Sequence, residues 1–306
     1  MITFNHASKW YGDVIAVNDV SFTLGPGVTA LLGSNGAGKS TLMKLMTGQI
    51  RPSTGEIAVF GMSPFANPEV YRRLGYCPEI DAFPEHQTGR AFVNTMARFS
   101  GLGAGEAKRR TEAVLTEVGM ADRASRKVGG YSKGMRQRIK LAQAMLLDPD
   151  IIVLDEPLNG LDPVGRREFL AVLQGLAERG KTILVSSHIL FEVEQMTRSI
   201  LLMTQGQLLA QGDLSVIRGY LDRFPQRIRL DSTDPRRLAE RLVALPYVLG
   251  VELDARGTGI EVRTKEPDAF YDALGKVILD EGLPVGTFHS PDNDLESIFR
   301  YLTTAG

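Results

Sequence analysis

A glycine-rich segment near the N-terminus has the residue types that hold a chain of phosphates. Residues 33–40 read Gly-Ser-Asn-Gly-Ala-Gly-Lys-Ser and match the pattern G-x-x-x-x-G-K-[ST]. An apolar run over 28–32 predicts a strand before the pattern, and a helix is predicted over 41–47 after it. Glycines let backbone N–H groups surround phosphates, and a helix N-terminus adds positive potential. We therefore predict a triphosphate site, with Lys39 at the β and γ phosphates and Ser40 as a ligand of Mg²⁺.

The loop itself and the first residue of the helix supply the predicted nucleotide contacts. These are Ser34, Asn35, Gly36, Ala37, Gly38, Lys39, Ser40 and Thr41. A glycine-rich turn without a ligand is the alternative, and the strand and helix on either side of the loop argue against it.

A second apolar run ends in two carboxylates. Residues 151–154 are Ile-Ile-Val-Leu, and Asp155 and Glu156 follow directly. Ligands of open α/β sheets collect beyond the carboxyl ends of strands. We predict that Asp155 holds Mg²⁺, directly or through water, and that Glu156 is the general base for an attacking water. A buried strand with polar residues at its exit is the structural alternative.

The elements that must position these residues alternate short β-rich runs with longer helical runs from residue 1 to about 219. This alternation predicts an α/β fold with a mostly parallel sheet and helices packed on it. The runs 28–32, 151–154 and 182–186 are the strands that lead to candidate site residues.

After residue 219 the pattern changes to a βαββαβ order, which predicts a small α+β ferredoxin-like domain. The predicted elements are strand 227–230, helix 235–245, strands 248–254 and 260–264, helix 268–281, strand 285–289 and a last helix over 295–302. We therefore predict two domains, 1–219 and 220–306, the second an accessory domain.

Composition excludes several classes of protein. The chain has 306 residues, 43% hydrophobic and 23% charged, as expected of a folded globular protein. A formal net charge of −1 gives no electrostatic reason to bind nucleic acid. The single cysteine, Cys77, cannot form an internal disulfide, which favours a reducing compartment. The start lacks the pattern of a secretory signal, and no apolar run approaches the roughly 20 residues of a membrane span, so any membrane role requires a partner.

The motifs, in their order along the chain, resemble those of the nucleotide-binding domain of ABC (ATP-binding cassette) transporters over residues 1–219. Residues 131–135, Tyr-Ser-Lys-Gly-Met, are similar to the family signature L-S-G-G-Q, although three of the five positions differ. In that family the signature contacts the ATP bound to the opposite subunit. The resemblance thus implies that Ser132 and Gly134 bind nucleotide across a dimer. On its own, the segment would be a Ser-capped helix.

Two further segments match the family's pattern. Residues 158–162 resemble the D-loop, in which Asp162 shapes contacts across the dimer, and a capped helix is the alternative for Asp162. His188, just past strand 182–186, matches the switch histidine that contacts the γ phosphate, which gives it a catalytic role beside Lys39 and Glu156.

Near the N-terminus, Tyr11 matches the aromatic residue that stacks on adenine, with Val17 packing nearby. Trp10 is the competing aromatic. Stacking is a modest contact, so Tyr11 should matter more for binding than for chemistry.

One position departs from the family. Most relatives have a glutamine that senses Mg²⁺ and the membrane subunit, whereas residues 74–79 here read Leu-Gly-Tyr-Cys-Pro-Glu and Gln87 comes too late. The carboxylate of Glu79 is a possible Mg²⁺ ligand, and a solvated loop acid is the alternative. The resemblance implies that Glu is frequent here in the subgroup that exports drugs, antibiotics and polysaccharides, often with a C-terminal extension.

The resemblance implies a P-loop NTPase cassette with a helical subdomain that hydrolyses MgATP. Its cofactors would be ATP and Mg²⁺. Its partners would be a second ATPase subunit, in a homodimer or heterodimer, and integral membrane permease subunits, without nucleic acid. It would be cytoplasmic and bound to the inner face of the cell membrane through those subunits, with export as the expected direction.

Two other functions occur among proteins with these nucleotide motifs. DNA-repair relatives insert long coiled coils between the nucleotide motifs, and translation factors carry two cassettes in one chain, and neither feature is found in this sequence. A regulatory module that holds ATP without hydrolysing it is the other rival, and Glu156 and His188 argue against it.

Overall fold

The computed structural model describes residues 1–213, 225–254 and 257–290, without the side chains of Leu190, Phe191 and Glu281. The chain divides into two units, Met1–Asp213 and Leu214–Gly306. The predicted boundary after residue 219 and the predicted helix 295–302 lie outside the described residues. Within those residues, no helix has the length and apolar character needed to cross a membrane.

The first unit alternates strands and helices, as its sequence pattern predicts. Its strands are β1 (Ile2–Tyr11), β2 (Val14–Leu24), β3 (Gly27–Leu32), β4 (Thr54–Val59), β5 (Leu74–Cys77), β6 (Ile151–Leu154), β7 (Thr182–Ser187), β8 (Ser199–Thr204) and β9 (Gln207–Asp213). Its helices are α1 (Lys39–Met46), α2 (Pro68–Arg72), α3 (Gly89–Phe99), α4 (Ala104–Glu117), α5 (Lys133–Ala144), α6 (Pro163–Glu178) and α7 (Leu190–Glu194).

Two sheets form the first unit. The larger sheet has the order β5-β6-β7-β3-β8-β9, in which neighbouring strands are parallel except for β9. The smaller sheet is antiparallel, in the order β2-β1-β4. The prediction of a mostly parallel sheet is therefore confirmed. Because β6, β7 and β3 are neighbours, the segments that follow them emerge at one edge of the sheet.

The strands that lead to this edge lie in the hydrophobic core. Every residue of β6 and β7 is buried, as expected of parallel strands covered on both faces. Leu31, Val153 and Leu184 belong to one buried cluster with the apolar face of α1. Burial of each such side chain contributes about 1.5–3 kcal/mol, so the strand ends hold the following residues in place.

Side-chain caps begin the two helices whose starts carry the signature-like and D-loop-like segments. Ser132 Oγ accepts the Met135 N–H at 3.3 Å at the start of α5. Asp162 Oδ1 accepts the Gly165 N–H at 2.7 Å at the start of α6. Ser132 and Asp162 thus each cap a helix, which is the structural alternative to a contact across the dimer at both positions.

The described part of the second unit contains four strands and two helices. Its elements are β10 (Gln226–Ser232), α8 (Pro235–Leu242), β11 (Val248–Leu253), β12 (Gly259–Thr264), α9 (Pro267–Glu281) and β13 (Val285–His289). The strands form an antiparallel sheet in the order β11-β12-β10-β13. Its own core includes Ile228, Leu230 and Phe270, all fully buried. This is the βαββαβ order of the ferredoxin-like plan.

Candidate active site

A cleft of about 440 Å³ lies beyond the carboxyl ends of β3, β6 and β7. Its lining includes every predicted loop residue from Ser34 to Thr41, together with Glu79, Asp155, Glu156 and His188. The structure therefore brings together motifs that are more than 100 positions apart along the chain. Three lining residues fall outside every predicted motif, namely Val14, Ile15 and Ala16, and a further lining residue, Asn159, lies in the D-loop-like segment 158–162.

The loop between β3 and α1 requires glycine at two positions. Gly36 and Gly38 have φ angles of +82° and +101°, in the left-handed region that side chains disfavour. A Cβ atom on Gly38 would also lie 2.4 Å from the carbonyl oxygen of Ala16. With α1 beginning at Lys39, the loop presents a helix N-terminus to the cleft, and such a terminus attracts anions.

Lys39 connects this loop to the carboxylate that follows β6. Its Nζ donates to the Gly33 carbonyl oxygen at 2.7 Å and lies 3.5 Å from Glu156 Oε1. Lys39 and Glu156 are each only 7% exposed. A buried ammonium and a buried carboxylate are stable there because each has the other as a partner.

The turn after β6 places two successive carboxylates in different directions. Glu156 has a φ of +47°, a strained value for a residue with a side chain. Ser186 of β7 holds this turn, since its Oγ donates to Asp155 Oδ1 at 2.7 Å and accepts the Glu156 N–H at 2.7 Å. Ser186 is a site residue that no sequence motif singled out; its place at a strand end two positions before His188 was the available signal.

His188 completes the contacts of Glu156. Its Nδ1 lies 3.0 Å from Glu156 Oε2, while Lys39 faces the other carboxylate oxygen. The imidazole is about one-third exposed, so it faces the cleft from the side open to solvent. The Glu156 carboxylate is therefore held from both sides in a fixed orientation, as a general base requires.

The donor set of the cleft fits a magnesium ion. Ser40 supplies a hydroxyl oxygen, and Asp155 and Glu79 supply carboxylate oxygens, on the same lining. Magnesium prefers oxygen ligands and is usually held by one or two carboxylates together with substrate phosphates. The described residues contain no cluster of three or more His, Cys, Asp or Glu side chains that could hold a metal ion.

Four predicted nucleotide contacts are not among the residues that line the cleft. Tyr11 is 46% exposed at the end of β1, and Val17 is fully buried in the core. From β2, residues Val14 to Ala16 line the cleft in place of Val17. Ser132 and Gly134 lie at the start of α5 and do not line this cleft, so their proposed contact with a second subunit's nucleotide stays a prediction.

Two ionisable side chains of β5 beside the site stay protonated at neutral pH. Burial raises the pKa of the Cys77 thiol to about 12. Burial, with the nearby Asp155 carboxylate, raises the pKa of Tyr76 to about 12. Neither side chain is therefore a nucleophile or a base for the cleft.

Comparison with known proteins connects this cleft to one family. Residues 17–159 match the family model described as ABC transporter. The ABC transporter ATP-binding protein NatA of Bacillus subtilis is 38% identical over 222 residues, which cover 70% of this chain and 90% of NatA. The daunorubicin/doxorubicin resistance ATP-binding protein DrrA of Streptomyces peucetius is 29% identical over 297 residues, which cover 96% and 90% of the two chains.

The match spans little more than half the length of another relative. An uncharacterised ABC transporter ATP-binding protein of Synechocystis is 40% identical over 191 residues, 62% of this chain, and the match spans 54% of its length. A solved structure of an ATP-binding subunit of an ABC transporter is 32% identical with a TM-score of 0.64, covering 72% of this chain and 93% of that one.

Proposed function

This chain belongs to the ABC transporter family of ATP-binding proteins, and from that premise we propose that it binds and hydrolyses MgATP to drive export through separate membrane subunits. The observation that carries the proposal is the Glu156 carboxylate, held between Lys39 and His188 in the cleft that also contains the phosphate-type loop. Binding alone would not require a carboxylate oriented in this way.

Each residue of the cleft has a part in this proposal. The N–H groups of loop 33–40 and the Lys39 ammonium bind and neutralise the phosphates. Ser40 and Asp155 would hold magnesium, with Glu79 as a further candidate ligand, and a bound ion would supply positive charge against the phosphates. Glu156 accepts a proton from the attacking water, and His188 keeps the carboxylate aligned. Catalysis is then mainly positioning and electrostatic stabilisation.

Assembly and direction extend the proposal beyond the single chain. Ser132 and Gly134 of a second subunit would complete each site, since they lie outside the cleft lining of their own chain. Membrane permease subunits would hold the dimer at the inner face of the membrane. Export is supported by Glu79 in place of glutamine and by the relative named for daunorubicin and doxorubicin resistance. For the second unit we propose a role in steadying the dimer or regulating hydrolysis.

Phosphate release from MgATP by the purified chain tests this proposal. Hydrolysis should require Mg²⁺ and should be lost in Lys39→Ala, because the loop then lacks its cation at the phosphates. Lys44→Ala is the matched control, since Lys44 is an exposed lysine of the same helix and should leave the rate unchanged. Equal rates for Lys39→Ala and the parent would contradict the assignment of the loop. Nucleotide binding without phosphate release by the parent would favour the regulatory module.

A further inference from the structure

A buried carboxylate outside the cleft lies close to the segment that carries His188. Glu192 belongs to the short helix α7 and is only 1% exposed. Ser187 Oγ donates to Glu192 Oε2 at 3.0 Å, and the same hydroxyl oxygen accepts the Ile189 N–H at 3.0 Å. The hydroxyl group of Ser187, on one side of His188, thus holds the backbone of Ile189 on the other side, and Glu192 orients that hydroxyl group.

The charge of Glu192 is balanced by a second element. Arg166 of α6 brings its Nη2 to 3.0 Å from Glu192 Oε1. Neither this carboxylate oxygen nor the buried Nε of Arg166 has a hydrogen-bond partner in the part of the chain that the structure describes. The two side chains are thus joined by charge attraction, and a buried ion pair often contributes less stability than apolar side chains of the same volume. The contacts of the pair point instead to a role in holding the segment that carries His188.

The two ends of this network lead to the site. Arg166 donates its backbone N–H to the Asp162 carbonyl at 2.9 Å, in the first turn of α6. The segment from Glu156 to Asp162 leads into α6, which carries Arg166, and the segment that follows His188 leads to Glu192 of α7. The ion pair between Arg166 and Glu192 therefore connects the two segments. Since the His188 contact with Glu156 is 3.0 Å long, a displacement of about 1 Å at either segment breaks it.

We propose that Glu192 is a positioning residue for hydrolysis, which holds His188 against Glu156 through Ser187 and is itself held by Arg166. The proposal rests on the proposed ATP hydrolysis for its kinetic consequence, but its structural consequence does not depend on turnover. Displaced catalytic groups typically cost about 100-fold in rate. We therefore expect Glu192→Gln to lower kcat by roughly 10- to 100-fold while ATP affinity changes by less than about twofold.

A double-mutant cycle separates positioning from general destabilisation. If Glu192 acts through His188, Glu192→Gln should cause no further loss of kcat in a His188→Ala background. Ser187→Ala should lower kcat by as much as Glu192→Gln does. Ser187→Thr keeps the hydroxyl group, so its kcat should be close to that of the parent. Glu112→Gln is the matched control, because Glu112 pairs with Arg90 at 2.7 Å away from His188, and its kcat should equal that of the parent. Losses that multiply in the His188→Ala background would overturn the proposal.

A spectroscopic readout tests the same inference without hydrolysis. The imidazole NMR signal of His188 can be assigned by its disappearance in His188→Ala. It should shift in Glu192→Gln and Ser187→Ala of the nucleotide-free full chain and stay in place in Glu112→Gln. An unchanged signal in Glu192→Gln would overturn the proposal whether or not the parent hydrolyses ATP. Absence of hydrolysis by the parent, with these shifts present, would contradict only the proposed function.

Discussion

At the scale of single residues, burial sets the chemistry of Cys77 at the end of β5. The thiol is fully buried, which raises its pKa from a usual value near 9 to about 12. Because only the thiolate attacks alkylating reagents, folded protein should resist a maleimide at about pH 8 and react after unfolding in urea. Labelling of the folded protein at the rate of a free thiol would contradict this prediction.

The same pKa shift affects stability. The free energy of unfolding should decrease as the pH rises from about 9 towards 12, since the thiol of the unfolded chain ionises first.

The residues of the site differ in how well local sequence predicts them. Loop 33–40 and the pair Asp155 and Glu156 are contiguous patterns whose chemistry depends on nearest neighbours, and the structure places residues 34–40 of the loop and both carboxylates on the cleft. Ser186 of β7 contacts Asp155, which follows the adjacent strand β6 and lies 31 positions away in the sequence. The residues next to Ser186 in the sequence do not indicate that partner. The assignment of Tyr11 and Val17 depends on the resemblance to the family; Val14 to Ala16 line the cleft, and the contacts of Tyr11 and Val17 with a nucleotide stay predictions.

At the scale of elements, Lys140 of α5 holds the segment that carries Glu79. Lys140 is only 3% exposed. Its Nζ donates to the carbonyl oxygens of Pro78 at 2.8 Å and of Glu79 at 3.0 Å, and it forms an ion pair with Asp81 Oδ1 at 2.9 Å. Lys140→Met keeps the side-chain length but leaves three acceptors without their donor. We expect a loss of about 3 kcal/mol in the free energy of unfolding, measured by urea denaturation.

The exposed Lys108 of α4 supplies the control for this experiment, because Lys108→Met should change stability by less than about 0.5 kcal/mol. If Lys140→Met were as stable as the Lys108→Met control, the three contacts of Lys140 would not hold the segment.

Element type was predictable and element ends were less so. Strand β6 is an uninterrupted apolar run, and β7 has an apolar centre at residues 183–185, as expected of parallel strands buried on both faces. The helix predicted over 41–47 runs Lys39–Met46 as α1, and helix α5 begins at Lys133 because Ser132 caps it there. The left-handed turn at Glu156 was not predictable, since its φ of +47° depends on the hydroxyl of Ser186.

At the scale of the whole molecule, the two units have separate hydrophobic cores. A fragment ending at residue 219 contains every cleft residue, so it should fold and bind ATP with an affinity close to that of the full chain. Calorimetric titration with ATP, with Lys39→Ala in the same fragment as the control, measures this. Insolubility of the fragment under every condition, with a well-behaved full chain, would show that the boundary is wrong.

The proposed dimer has a consequence that light scattering detects. If Ser132 and Gly134 bind the other subunit's nucleotide, ATP that is bound and not hydrolysed shifts the equilibrium towards the dimer by mass action. Glu156→Gln with MgATP should then show dimer mass, and Lys39→Ala in the same protein should return it to monomer mass. A monomeric Glu156→Gln with ATP bound would contradict the contact across subunits.

The central claim is that Glu156 is a base for hydrolysis and is dispensable for nucleotide binding, and Glu156→Gln tests it most directly. The amide keeps the size and hydrogen bonding of the side chain and removes its negative charge. Phosphate release and ATP affinity, measured side by side on this variant and the parent, should separate. We predict a fall in hydrolysis of roughly 10²–10⁴-fold with an ATP affinity near that of the parent. Hydrolysis by Glu156→Gln at the rate of the parent would contradict the claim.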